Sequence, residues 1–178
     1  MQRQISYIVF DAARMEAEID NARAINPVFD SLYRGQSEET LSSVAPYIFT
    51  FERETEFRRW YFDKGWGDSW GIMLFADEEM KVLHKHFRKF LMVQTEEGKE
   101  LYFRYYDPRV LRIFLPTCDK EQLKEFFGPI DYYICEDEDP VFGIVFSLLD
   151  GLLHQERISK EMIMDFEPPA KKKWFSFF

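Results

Sequence analysis

Leu101-Tyr-Phe-Arg-Tyr-Tyr-Asp-Pro-Arg-Val-Leu-Arg112 changes its period in the middle, and that change governs how the chain around it is read. Before Asp107 the aromatic and long residues suit a strand, whose side chains alternate between two faces. Arg104 and Tyr106 then share one face, and Phe103 and Tyr105 the other. Asp107 suits a helix N-cap and Pro108 the first helical position, where a missing N–H costs nothing. Arg104, Asp107 and Arg109 therefore converge on a strand-to-helix junction, the natural place to look for a catalytic or binding group. An arginine on a sheet covered on both faces needs an anion beside it, and Asp107 is a near candidate, alongside carboxylates from other segments. Planar, bidentate pairing would fix both the turn and the neighbouring helix that carries Arg88, so the set reads first as a structural network. Arg109 stands apart, because a cation in the first helical turn gains little from the helix dipole.

Working outward, Met92–Thr95 and Leu101–Tyr106 flank Glu96-Glu-Gly-Lys99, which predicts a hairpin with Gly at the turn. Upstream, a helix opens at Asp77 or Glu78 and carries Met80, Leu83 and Phe87 as an apolar stripe. Trp70–Phe75 is nearly all apolar and reads as a strand inside a sheet. Further strands are expected at Ser6–Phe10, Tyr47–Phe51 and Ile130–Cys135, and helices at Ala12–Ala24, Glu54–Lys64 and Lys120–Phe127. Strands separated by helices, plus one hairpin, predict an α/β (α+β) fold: a mixed β-sheet with helices packed on it. After Cys135, Glu136–Asp139 reads as a solvated acidic loop, and Asp150–Phe166 as an amphipathic helix. This divides the chain into a core domain, 1–134, and a mainly helical, variable C-terminal segment, 135–178, with an aromatic tail at 167–178.

The 178 residues suffice for a real core, and aromatics make up 18% of them. That surplus, with 19 Phe, could also furnish an apolar patch for a partner. A net charge of −9 repels phosphate backbones, so no nucleic-acid partner is expected. No apolar run approaches the roughly 20 residues of a membrane helix, so no membrane insertion is expected. The apolar stretch before Asp11 is too short for a secretory signal, and two cysteines are too few for a disulfide framework. A cytoplasmic, reduced protein is the expectation.

Chemistry is sparse. His84 and His86 lie two apart on a helix and point to nearly opposite sides, one toward the core edge and one toward solvent. Zinc-binding helices use a spacing of four, so no metal is expected. There is no Gly-x-Ser-x-Gly elbow, no reactive cysteine motif and no phosphate-cradling loop, and hence no cofactor is expected. Asp107 with His86 is a possible acid–base pair and would make the chain a small hydrolase with a cleft beside them. In the tail, Lys171-Lys-Lys173 precedes Trp174, Phe175, Phe177 and Phe178. Those aromatics fold back onto the domain or dock on a partner, with the membrane interface a third option.

An ordered set of segments also resembles a known family. It comprises Tyr7-Ile-Val-Phe-Asp-Ala-Ala13, Ser31-Leu-Tyr-Arg-Gly35, Ala45-Pro-Tyr47, Trp70-Gly-Ile-Met-Leu74, His86-Phe-Arg-Lys-Phe-Leu91, Phe103-Arg-Tyr-Tyr-Asp-Pro-Arg-Val-Leu111 and Phe126-Phe-Gly-Pro129. Together, from about Ile5 to Ile134, they resemble the type VI secretion effector chaperone and adaptor domain of bacteria, the Tap-like family long catalogued as a domain of unknown function. The resemblance implies no enzymatic activity. It implies a protein that stays in the cytoplasm, holds a toxic effector before secretion and helps load it onto the VgrG spike. Its partners would then be the cognate effector and VgrG. The chain is shorter after the core than many relatives.

Overall fold

The computed structural model describes residues 5–35 and 41–169. Among the described residues nine strands run in chain order: β1 (Ile5–Asp11), β2 (Phe29–Ser31), β3 (Pro46–Thr50), β4 (Gly71–Ala76), β5 (Met92–Gln94), β6 (Glu100–Tyr102), β7 (Ile130–Glu136), β8 (Phe142–Leu149) and β9 (Leu152–Ser159). Seven of them form one sheet in the order β2-β3-β1-β4-β7-β8-β9, while β5 and β6 form a separate hairpin. The helices are α1 (Ala12–Met15), α2 (Glu18–Ile25), α3 (Glu56–Lys64), α4 (Met80–Arg88), α5 (Pro108–Thr117), α6 (Lys120–Phe127) and α7 (Lys160–Met164).

The α+β class holds, but every pairing in the sheet is antiparallel, so the sheet is not mixed. The fully apolar strand Gly71–Ala76 carries the signature expected of a parallel strand because helices cover both faces here too. Alternation along β1 divides the core. Tyr7 and Val9 join Leu83, Phe87, Leu111, Leu123 and Phe126 on the face covered by α4, α5 and α6. Ile8 and Phe10 join Met15, Ile19, Phe57, Tyr61 and Ile163 on the face covered by α1, α2, α3 and α7. The helix expected over Ala12–Ala24 is broken at Glu16, whose φ of 54° leaves the helical region.

The C-terminal segment is not mainly helical. Asp150 and Gly151 have φ of 53° and 75°, the signature of a two-residue type I′ turn, and they fold 142–159 into the β8–β9 hairpin. An exposed strand with His154, Glu156 and Arg157 in it carries enough charge to resemble the polar face of a helix. Among the segment's described residues only α7 is helical, capped by the Ser159 hydroxyl, which accepts from the Met162 N–H at 3.3 Å. Arg58, buried on α3, donates to the carbonyls of Ile163 and Met164 at 3.3 and 3.1 Å and to Phe51. Burial in this apolar setting, with Arg53 nearby, lowers the Arg58 guanidinium to about 10. The position taken from sequence as the end of the core, residue 134, falls inside β7, and the sheet continues through β8 and β9.

Candidate functional site

The junction opens where the β5–β6 hairpin closes. β6 ends at Tyr102, and Phe103–Tyr106 form a turn rather than the second half of a strand. The expected alternation is therefore absent, and adjacent Tyr105 and Tyr106 are both buried. Tyr105 stacks on Phe87, with ring centroids 5.5 Å apart, and its hydroxyl donates to the Phe87 carbonyl at 3.1 Å. Two large rings anchored in the core pin the turn and bring Arg104 and Asp107 to its rim.

Asp107 caps α5 as expected, and Pro108 occupies the first turn. The Asp107 Oδ1 accepts from the Arg109 N–H and from Arg109 Nε, both at 3.0 Å, while Oδ2 accepts from Arg109 Nη2 at 2.6 Å. Burial alone would raise the Asp107 carboxyl, but these bonds to Arg109, with the charge of Arg104 behind them, hold it below the usual carboxylate range. Of the candidate anions, Arg104 takes a carboxylate from another segment ahead of Asp107. Its Nε and Nη2 both donate to Asp11 Oδ2, with Asp107 a longer 3.9 Å away. Asp11 ends β1 and caps α1 through the Ala13 N–H at 3.1 Å, so one buried carboxylate ties the α1 cap to the junction. Asp11 and Asp107 are 1% and 2% exposed, yet the Arg104 and Arg109 side chains are 41% and 50% exposed. The result is two guanidiniums, each clamped along one side by a buried carboxylate and open to solvent on the other.

Arg112, one turn on, donates through Nη1 to the Glu136 carbonyl at 2.6 Å. The Glu136 side chain does not belong to a solvated loop: it is 2% exposed and accepts from the N–H groups of Gly67 and Ser69 at 2.7 and 2.8 Å. Burial raises the Glu136 carboxyl despite those bonds. Asp137 meets Arg157 Nε at 3.1 Å. Arg88 is exposed at the end of α4 and, among the described residues, makes no ion pair, so it stands outside the network.

Neither histidine faces solvent. His84 and His86 are 5% and 7% exposed, and their Nε2 atoms meet the carbonyls of Ser31 at 2.7 Å and Phe126 at 2.8 Å. A carbonyl only accepts, so each Nε2 carries the proton. Burial lowers the His86 pKa against the pull of the Phe126 carbonyl. Its ring fills the space at Gly128, where an added Cβ would lie 2.5 Å from Cε1. His86 is thus a packing group committed to α6, and Asp107 is committed to Arg109 and the α5 cap. Trp174, Phe175, Phe177 and Phe178 lie outside the described residues.

Beside the junction the β5–β6 hairpin stands with both faces in solvent. Met92 pairs with Tyr102 and Val93 with Leu101, and all four are exposed. Tyr102 reaches back toward the Tyr33 ring, 6.3 Å between centroids. Sequence reasoning placed this hairpin but did not single out its apolar surface, and it missed Asp11 and Glu136 as buried anions. Asp11 carried a signal, since it directly precedes a helical run and so reads as a cap. Glu136 carried none, being one of a run of acidic residues.

A family model described as a domain of unknown function (DUF4123) matches residues 6–125, about two thirds of the chain, and the chain belongs to that family. No curated protein matches the chain, and no solved structure matches it. Among the described residues no cluster of His, Cys, Asp and Glu is arranged to hold a metal ion, and no helix is long and apolar enough to cross a membrane.

Proposed function

From the resemblance of its ordered segments to the type VI secretion adaptor domain, we propose that the chain is a non-enzymatic adaptor. It binds a type VI secretion effector in the bacterial cytoplasm and helps load it onto the VgrG spike. The observation that carries this reading is the pairing of an exposed apolar hairpin with two pre-oriented, half-exposed guanidiniums. Met92, Val93, Leu101 and Tyr102 offer apolar contact, and Arg104 and Arg109 at its base offer planar donors already fixed by Asp11 and Asp107. A segment with apolar side chains followed by a carboxylate fits that surface. The alternative, a small hydrolase, needs Asp107 and His86 to act on one substrate, and each is held by a separate internal partner.

Co-expression with the effector encoded beside it, followed by copurification, tests the proposal. The effector should become soluble and copurify. Leu101→Asp combined with Tyr102→Asp should abolish capture, while the variant unfolds at the native temperature because neither residue is in the core. An effector that is equally soluble alone, with no complex formed, ends the adaptor reading.

A further inference from the structure

The sheet has two ends of very different quality. On one side the last strand, β2, is three residues long; on the other, β9 runs for eight, paired with β8 in an unbroken register. Leu152 and His154 through Arg157 are exposed. Because Asp150–Gly151 is a type I′ turn, the flanking pair Leu149–Leu152 is hydrogen-bonded, and the bonding alternates from there. Leu152, His154, Glu156 and Ile158 therefore direct their backbone groups at β8, and Leu153, Gln155 and Arg157 direct theirs outward. Among the described residues, none of those three makes a backbone hydrogen bond to another element. A long, unbulged edge that no described residue covers is a template for a further strand.

The side chains specify which strand fits. We propose that a second copy of this chain pairs with β9 antiparallel, across a twofold axis through Gln155, to make one sheet continuous through both molecules. Outward backbone groups must meet outward groups, so the axis has to pass through a residue. Centred on Glu156, it sets that carboxylate against its own copy. Centred on His154, it sets His154 against itself and Leu152 against Glu156. Centred on Gln155, His154 faces Glu156 of the second copy twice over, Leu152 faces Ile158, Leu153 faces Arg157, and the two Gln155 side chains face each other. On one face imidazole then meets carboxylate and apolar meets apolar, and on the other the aliphatic stem of Arg157 lies against Leu153; the Glu156 register instead sets two carboxylates together, and the His154 register sets Glu156 against Leu152. This inference does not depend on the adaptor reading.

Sedimentation of the full chain over a concentration series tests it. The native chain should dimerise. Gln155→Pro should give a monomer with an unchanged unfolding temperature, since the N–H it removes points away from β8. His154→Glu should weaken dimerisation by roughly tenfold, as two attractive pairs become two repulsive ones. Adding Glu156→His to that variant should restore it, because each carboxylate again faces an imidazole. A native chain that stays monomeric, whether because its own residues 170–178 or a partner's strand cover the edge, overturns the proposal. A Gln155→Pro variant that dimerises like the native chain overturns it equally.

Discussion

Asp107 shows how much one buried carboxylate can fix. It caps α5, and it chelates Arg109 with two oxygens. Replacing it by Ala removes the cap and leaves Arg109 without its anion, which should cost about 1–2 kcal/mol by chemical denaturation. Asp107→Asn keeps the cap acceptor and isolates the charge. The folded carboxyl lies below its ordinary 3.8, so its contribution is present above that value and is lost as pH falls through the folded one. The Asn variant should therefore lose less stability than the native chain on acidification below about pH 4.

At the scale of elements, most helices and strands were legible because their signals are local. The cap at Asp107, the stop at Gly128-Pro129 and the apolar run at Gly71–Ala76 each declare themselves within a few residues. Features that depend on distant partners were not legible. The anion for Arg104 comes from Asp11, 93 positions away, and no spacing rule reaches that far. β9 was taken for helix because an exposed edge strand buries so little of itself that its period is faint. α7 is likewise a tertiary product: five residues are too few to hold a helix unaided, and Arg58 holds its final carbonyls. Arg58→Met should leave the side-chain volume largely intact but strand those carbonyls, costing about 1–3 kcal/mol. Hydrogen exchange should rise across Glu161–Asp165 well before the central strands are affected.

For the molecule as a whole, acid stability combines groups of opposite sign. His86 is buried with its pKa below 6.5, so the unfolded chain takes the proton first, and stability falls as pH drops from about 6.5 through the folded value. Glu136 works the other way: its folded carboxyl lies above 4.5, so acidification relieves the cost of burying its charge. His86→Gln keeps a donor for the Phe126 carbonyl and removes the first step, so its denaturation midpoint should vary less than the native one between neutral pH and about 5. The same topology sets a schedule. β1 leaves the ribosome before either of its neighbours in the sheet, β3 and β4. It cannot be paired on both sides until residues 46–50 and then 71–76 have been made. At roughly 5–20 residues per second, Tyr7-Ile-Val-Phe10 waits several seconds as a bare apolar strand. The interval in which this chain itself most needs protection thus falls during its own synthesis.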